Sequence, residues 1–223
     1  MARSSMSSIN CAVCDVGRAS GLGQGQFCPF VDRQRRRGEL LYLQGEPASH
    51  VWFVKRGTVV LYREVGEGAA EGKAHAVRFA GSFIGLETLV SDRYADTAKA
   101  TTDVVLCGAT RAGIDAWLGP KGTPARTALE ITLRSHTRDA AAAARRGSAV
   151  QRVAGWLLDE GPRGEAGHLP RRLVADLLGM RAETLSRALA ELTQRGAITT
   201  TRTTLRIVDL AELERAAGRD EAA

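Results

Sequence analysis

The residues of this chain best suited to chemistry are four cysteines. Cys11 and Cys14 form a C-x-x-C pair, Cys28 follows after 13 intervening residues, and Cys107 lies far downstream. Met1 to Asn10 lacks the apolar core of a secretory signal, and no apolar run approaches the roughly 18 residues that span a bilayer. The chain is therefore expected to be soluble and cytoplasmic, where thiols stay reduced and an even set of cysteines is metal-binding, catalytic or idle rather than a disulfide framework. The histidines His50, His75, His136 and His168 show no ligand spacing, and no nucleophile-base pair is apparent, which argues against an enzyme.

A second chemically able set lies near the C-terminus. Between Arg171 and Arg206 seven arginines face only Asp176, Glu183 and Glu191, which makes this the basic stretch of a chain of net charge +6. Within it, Ala175, Gly179 and Leu185 have the spacing of a helix-turn-helix: a small residue where two helices cross, a residue free to take positive φ in the turn, and an apolar anchor on the second helix. With Arg181 to Thr193 as recognition helix, Glu183, Ser186 and Arg187 share one face at its N-terminal end. Arg187 is suited to guanine O6 and N7, and Glu183 to the amino group of cytosine. A glutamate aimed at a polyanion serves base readout, not phosphate binding. Arg181, Thr184, Arg195 and Arg202 are the candidates for phosphate contacts, which set register without carrying sequence information. Double-stranded DNA is the expected partner.

These residues need elements to position them. With 223 residues, 44% hydrophobic and 25% charged, the chain has room for two cores and is excluded from collagen-like, mucin-like and wholly disordered classes. Residues 1–37 show no period and read as irregular backbone that something other than a core must order. Residues 38–119 carry the short runs LLYL, HVWFVK, TVVLYRE, AHAVRF, SFIGLETL, DTAKAT and DVVLCGA, the pattern of antiparallel strands in a closed or sandwiched sheet. Residues 120–146 read as a helix of about 22 residues, a rod over ~30 Å long at ~1.5 Å per residue. On it Leu129, Thr132, His136, Asp139 and Ala143 recur at alternating three- and four-residue steps, a narrow, partly polar seam suited to a helix-helix dimer of modest strength. Residues 147–223 then carry an apolar-faced helix, the helix-turn-helix, and a Thr/Ile/Leu hairpin after Gly196 that reads as a wing. The expected class is α+β.

Together these features resemble the CRP/FNR superfamily of bacterial transcription regulators over about Cys11 to Leu210. The resemblance implies a cyclic-nucleotide-binding-like β-roll, a long dimerisation helix and a C-terminal winged helix-turn-helix. The segment AETLSRALAEL is similar to the recognition helix of the FNR branch, in which a Glu, Ser and Arg at the spacing of Glu183, Ser186 and Arg187 read a TTGAT-type half-site. Nucleotide-binding members carry a Glu after the FIG-like turn and an Arg-Ser pair for the phosphate. Here Leu86 follows Gly85, and Asp96-Thr97 stand at the Arg-Ser position, where an aspartate repels a phosphodiester. No cyclic nucleotide is expected.

Cys11-Ala-Val-Cys14, Cys28-Pro29-Phe30 and Cys107 at the end of DVVLC resemble the layout of the FNR branch's cluster ligands, which implies a [4Fe-4S] cluster on four thiolates. The gap between Cys14 and Cys28 is wider than the familiar FNR spacing and glycine-rich. The resemblance further implies a homodimer whose two recognition helices lie about one duplex turn apart on a palindrome, with RNA polymerase as a further partner. Attack on the cluster by oxygen or nitric oxide would undo the packing of the N-terminal segment on the long helix. The like-charged Asp139 pair would then favour monomers. The residue chemistry alone leaves other sensors open on this architecture: zinc-bound or oxidised thiols, a haem-bound gas, or a small effector inside the roll.

Overall fold

The computed structural model describes residues 11, 14–20, 28–63, 72–118, 124, 125, 127–129, 131, 132, 135, 136, 139, 147–160, 169–201 and 205–219. The chain divides into two compact units, 1–136 and 137–223. Among the described residues no helix is long and apolar enough to cross a membrane.

The first unit is built from β1 (Val31–Arg35), β2 (Leu40–Tyr42), β3 (His50–Arg56), β4 (Val59–Arg63), β5 (Lys73–Arg78), β6 (Phe83–Ile84), β7 (Thr97–Ala100) and β8 (Val104–Thr110). They form two antiparallel four-stranded sheets, ordered β1-β8-β3-β6 and β2-β7-β4-β5. Each of the seven runs picked out in the sequence overlaps one of the strands β2 to β8. One apolar core joins Trp52, Val54 and Leu106 of the first sheet to Val59, Leu61 and Ala98 of the second. Side chains alternate across a strand, so Val51 and Phe53 of β3 and Cys107 and Ala109 of β8 enter a second core, with Phe30 and Phe83. That core is covered by α1 (Asp15–Ala19) through Val16 and by α2 (Arg111–Leu118) through Ile114 and Trp117. Burial on both faces is why β3 reads as an unbroken apolar run rather than an alternating one.

The structure departs from the sequence reading at residues 1–37, where two elements lie. α1 has only five residues, too few to show a helical period, and its N-cap is the Cys14 sulfur, which accepts from the Gly17 amide at 3.1 Å. β1 is polar and exposed along most of its length. Its place is fixed by backbone pairing with β8, from Val31 opposite Gly108 to Arg35 opposite Val104, so no alternation betrays it.

The described positions from 124 to 139 are helical and are named α3. Ala128, Ile131 and Ser135 are buried, and Ala128 and Ile131 belong to the second core. Of the proposed seam, Leu129 and His136 are exposed, Leu129 by 58%, while Thr132 and Asp139 are half-buried. Thr132 turns its hydroxyl to the Ala128 carbonyl at 2.7 Å. Ala143 lies outside the described residues.

The second unit comprises α4 (Ala149–Glu160), α5 (Arg171–Leu177), α6 (Ala182–Gln194), the hairpin β9 (Ile198–Thr200) and β10 (Leu205–Ile207), and α7 (Leu210–Ala216). α4 packs on α6 and α7, with Val153, Ala154 and Leu157 buried as its apolar spacing requires. The sequence reading did not anticipate α7, whose start is marked by Asp209, a side-chain cap accepting from the Glu212 amide at 3.0 Å.

Candidate functional site

Strand register assembles the thiol site. Across three neighbouring strands, Asp32 of β1, Cys107 of β8 and Phe53 of β3 stand opposite one another. Cys14 and Cys28 pack against the same apolar core that contains Cys107. Phe30, two residues beyond Cys28, wedges its ring against Phe83 at 6.0 Å and edge-on to Trp117 at 5.4 Å. Trp117 in turn donates its indole N–H to Ser20 Oγ at 2.7 Å, which ties α1 to α2. Gly17 allows α1 to close over the Cys11 loop, since a Cβ there would lie 1.9 Å from the Cys11 carbonyl oxygen and 3.1 Å from Cys14 Sγ.

Cys11 joins through Lys55, whose ammonium donates to Cys11 Sγ at 3.4 Å and to Asp32 Oδ1 at 2.7 Å. The Cys107 thiol donates to the same Asp32 oxygen at 2.9 Å. Cys14 feels the Lys55 ammonium and the sulfurs of Cys11 and Cys28. The four cysteines, from three separate segments of chain, are thus brought to one side of the roll, with Cys11, Cys14 and Cys107 within the influence of one buried cation.

The electrostatics favour the protonated form of two of these thiols, Cys107 and Cys14. Burial, aided by the Asp32 carboxylate and opposed by Lys55, pushes the Cys107 thiol up to about 12. Burial also raises Cys14, against the Gly17 amide and the Lys55 charge. Burial alone would raise Asp32, but Cys107 and Lys55 outweigh it and hold its carboxyl below the ordinary range. Burial opposes the Lys55 charge, yet Asp32 and the two sulfurs more than offset it, so Lys55 is a permanent cation. Sequence reasoning missed both Lys55 and Asp32.

Whether this set fits a cluster is answered by its donors. Among the described residues no three His, Cys, Asp or Glu side chains stand close enough to share a single metal ion. A cluster, however, takes one thiolate per iron and spaces its ligands wider than one ion does. The set offers four sulfurs, one for each iron of such a cluster, beside an apolar lining and a buried positive charge.

The second site is the exposed face of α6. Ala175 is buried, Gly179 takes φ +58° in the turn, and Leu185 is completely buried. The Met180 amide donates to the Ala175 carbonyl at 2.9 Å, closing the turn. Leu185, Ala188, Leu189 and Leu192 face inward, which leaves Glu183, Ser186 and Arg187 exposed together on the outer face. Arg181 is the exposed residue preceding the helix, and Thr184 is half-buried. Arg195 is ion-paired with Glu191 one turn back, and both remain about half exposed. Arg202 lies outside the described residues; the pairing of Ile198 with Ile207 sets the wing's base.

In the roll, Asp96 is held by Arg63 Nε at 2.8 Å and His75 Nε2 at 2.9 Å. The carboxylate stands at the position of the family's phosphate-binding arginine, and its own partners are already supplied.

Two family models match the chain: the cyclic nucleotide-binding domain over residues 32–118 and the Crp-like helix-turn-helix domain over residues 151–216. The nitrogen fixation regulation protein FixK of Bradyrhizobium diazoefficiens is 27% identical over 92% of this chain and 91% of its own. The crystal structure of FixK2 from Bradyrhizobium japonicum, 26% identical, superposes with a TM-score of 0.72 over 87% of this chain and 98% of that one. A CRP-family transcriptional regulator from Thermus thermophilus, 24% identical, has the same fold, with a TM-score of 0.70 over 83% of this chain and 96% of that one. Relatives of this kind are transcription regulators rather than enzymes. With the roll, the helix-turn-helix and the exposed reading face in place, the chain combines a cyclic nucleotide-binding-type domain with a Crp-like, DNA-binding helix-turn-helix domain, the architecture of the CRP/FNR-type transcription regulators it is similar to.

Proposed function

We propose that the protein is a homodimeric regulator whose DNA binding is governed by an iron-sulfur cluster on Cys11, Cys14, Cys28 and Cys107, sensitive to oxygen or nitric oxide. The observation that carries this reading is the gathering of the four thiols on one side of the roll, Cys14, Cys28 and Cys107 at one apolar core and Cys11 beside them through Lys55. When bound, the cluster supplies a redox-sensitive crosslink between the N-terminal segment and the roll. The chain's own residues do the rest. Phe30, Val16 and Trp117 seal the site from water, and Gly17 lets the C-x-x-C turn close. Because Cys14, Cys28, Cys107, Ala128 and Ile131 share one core, holding the thiols steadies the same layer on which α3 packs. α3 then offers its outward face, Leu129 to Asp139, to a second copy. Glu183, Ser186 and Arg187 read a TTGAT-type half-site in each protomer, Arg181, Thr184 and Arg195 follow its phosphates, and RNA polymerase is the further partner at the promoter.

Iron and acid-labile sulfide are measured on protein purified without oxygen, for the wild type and for each Cys→Ser variant. The expected result is equal amounts of iron and sulfide in the wild type and a severe loss in all four variants. Retention of the full complement in any one of them removes that cysteine from the ligand set.

A further inference from the structure

Lys55 is the only lysine or arginine whose side chain is buried among the described residues, at 1% exposure. Its position on β3 lies on the same face as Val51 and Phe53, where an apolar side chain would avoid the cost of several kcal/mol that desolvating a cation carries. Its carboxylate partner is shared with a thiol. Asp32 is 41% exposed and divides its Oδ1 between Lys55 at 2.7 Å and the Cys107 thiol at 2.9 Å. Two sulfurs also neighbour Lys55, Cys11 at 3.4 Å and Cys107, whose thiol shares the same carboxylate oxygen.

A thiol must lose its proton to ligate metal. The Cys107 contact with Asp32 then changes from an S–H···O hydrogen bond into a thiolate facing a carboxylate at 2.9 Å. Asp32 has solvent to turn towards, whereas Lys55, held within the sheet, does not. We infer that Lys55 is the fixed counter-charge of the thiolate site, donating to the ligating sulfurs of Cys11 and Cys107, and that Asp32 is the opposing charge that gives way. The inference rests on the cluster reading above and assigns the residues that tune that site. Net charge and hydrogen bonds to sulfur set the potential of a thiolate-bound cluster. A fixed cation favours the state that has gained an electron, and a carboxylate disfavours it.

The test uses the full chain, purified without oxygen, as wild type, Lys55→Met, Lys55→Arg and Asp32→Asn. Iron and sulfide are assayed first, and the one-electron midpoint potential of the bound centre is then measured by voltammetry, with the electrode as electron donor. Lys55→Met is expected to shift the midpoint negative, Lys55→Arg to restore it, and Asp32→Asn to shift it positive. A general loosening of the fold moves both substitutions in the same direction, so opposite signs identify the charge effect. If Lys55→Met holds no cluster, the Lys55→Arg and Asp32→Asn values decide. A wild type without iron overturns the cluster reading and this inference together. A loaded wild type whose variants keep its midpoint, or shift alike, overturns the role of Lys55 alone.

Discussion

Cys107 is the most deeply placed of the four thiols, 4% exposed and hydrogen-bonded to a carboxylate, so its nucleophilic thiolate form is scarce at neutral pH. In metal-free folded protein it is expected to be alkylated by iodoacetamide last, after Cys11, Cys14 and Cys28, as followed by peptide mass spectrometry. Alkylation of Cys107 at the rate of Cys11 contradicts this burial. The spacing of the cysteines was legible in the sequence because thiols are rare and their intervals can be compared. Lys55 and Asp32 were not. In HVWFVKR a lysine near the end of an apolar run reads as the solvent edge of a strand, whereas α1 and Phe30 cover that face of the sheet. Asp32 sits in DRQR, which has no apolar partner to mark it as part of a sheet.

α6 was the most legible element, since its apolar stripe, its turn glycine and its exposed polar triad each obey a local rule. Replacing Arg187 or Glu183 by Ala is expected to lower preference for the cognate half-site by about 1–3 kcal/mol per site, measured by fluorescence anisotropy against single-base variants of the operator. Arg195→Ala is expected instead to weaken all sequences alike and to reduce the salt slope by about one. Its exposed pair with Glu191 is worth under about 1 kcal/mol and yields readily to a phosphate. The strands β4 and β5 of the roll supply a pH dependence. Burial alone would raise Asp96, but His75 and Arg63 outweigh it and hold its carboxyl below the ordinary value. The stabilisation is therefore complete above the unfolded carboxylate value, about 3.9, and is lost as pH falls through it towards the lower folded one. Asp96→Asn is expected to flatten the acid limb of a Tm-against-pH curve; an unchanged limb contradicts the pairing. That Asp96 stands at the arginine position was readable in the sequence, but not that β4 and β5 supply its two partners, Arg63 and His75, because strand pairing was not.

At the scale of the whole molecule, α3 packs one face on the roll through Ala128 and Ile131 and leaves Leu129 and His136 to solvent. The three-four spacing made this stripe visible, whereas the small size of α1 and the polarity of β1 hid the part of the chain that carries three of the thiols. If the seam joins two copies, Asp139 meets its symmetry mate. Asp139→Ala is expected to give a dimer that persists in air, measured by sedimentation velocity, together with DNA binding that survives oxygen. A variant that dissociates in air like the wild type removes Asp139 from the seam. The account turns on a single coupling, between the thiols on the roll and the reading face on α6. It is tested most directly by titrating a TTGAT-type palindrome with one anaerobic preparation before and after air is admitted, with iron assayed on the same sample. The account predicts tight binding while iron is bound and a fall of at least tenfold in affinity, about 1.4 kcal/mol, as iron is lost. Equal affinity in the two states, with iron present in the first and absent in the second, contradicts it.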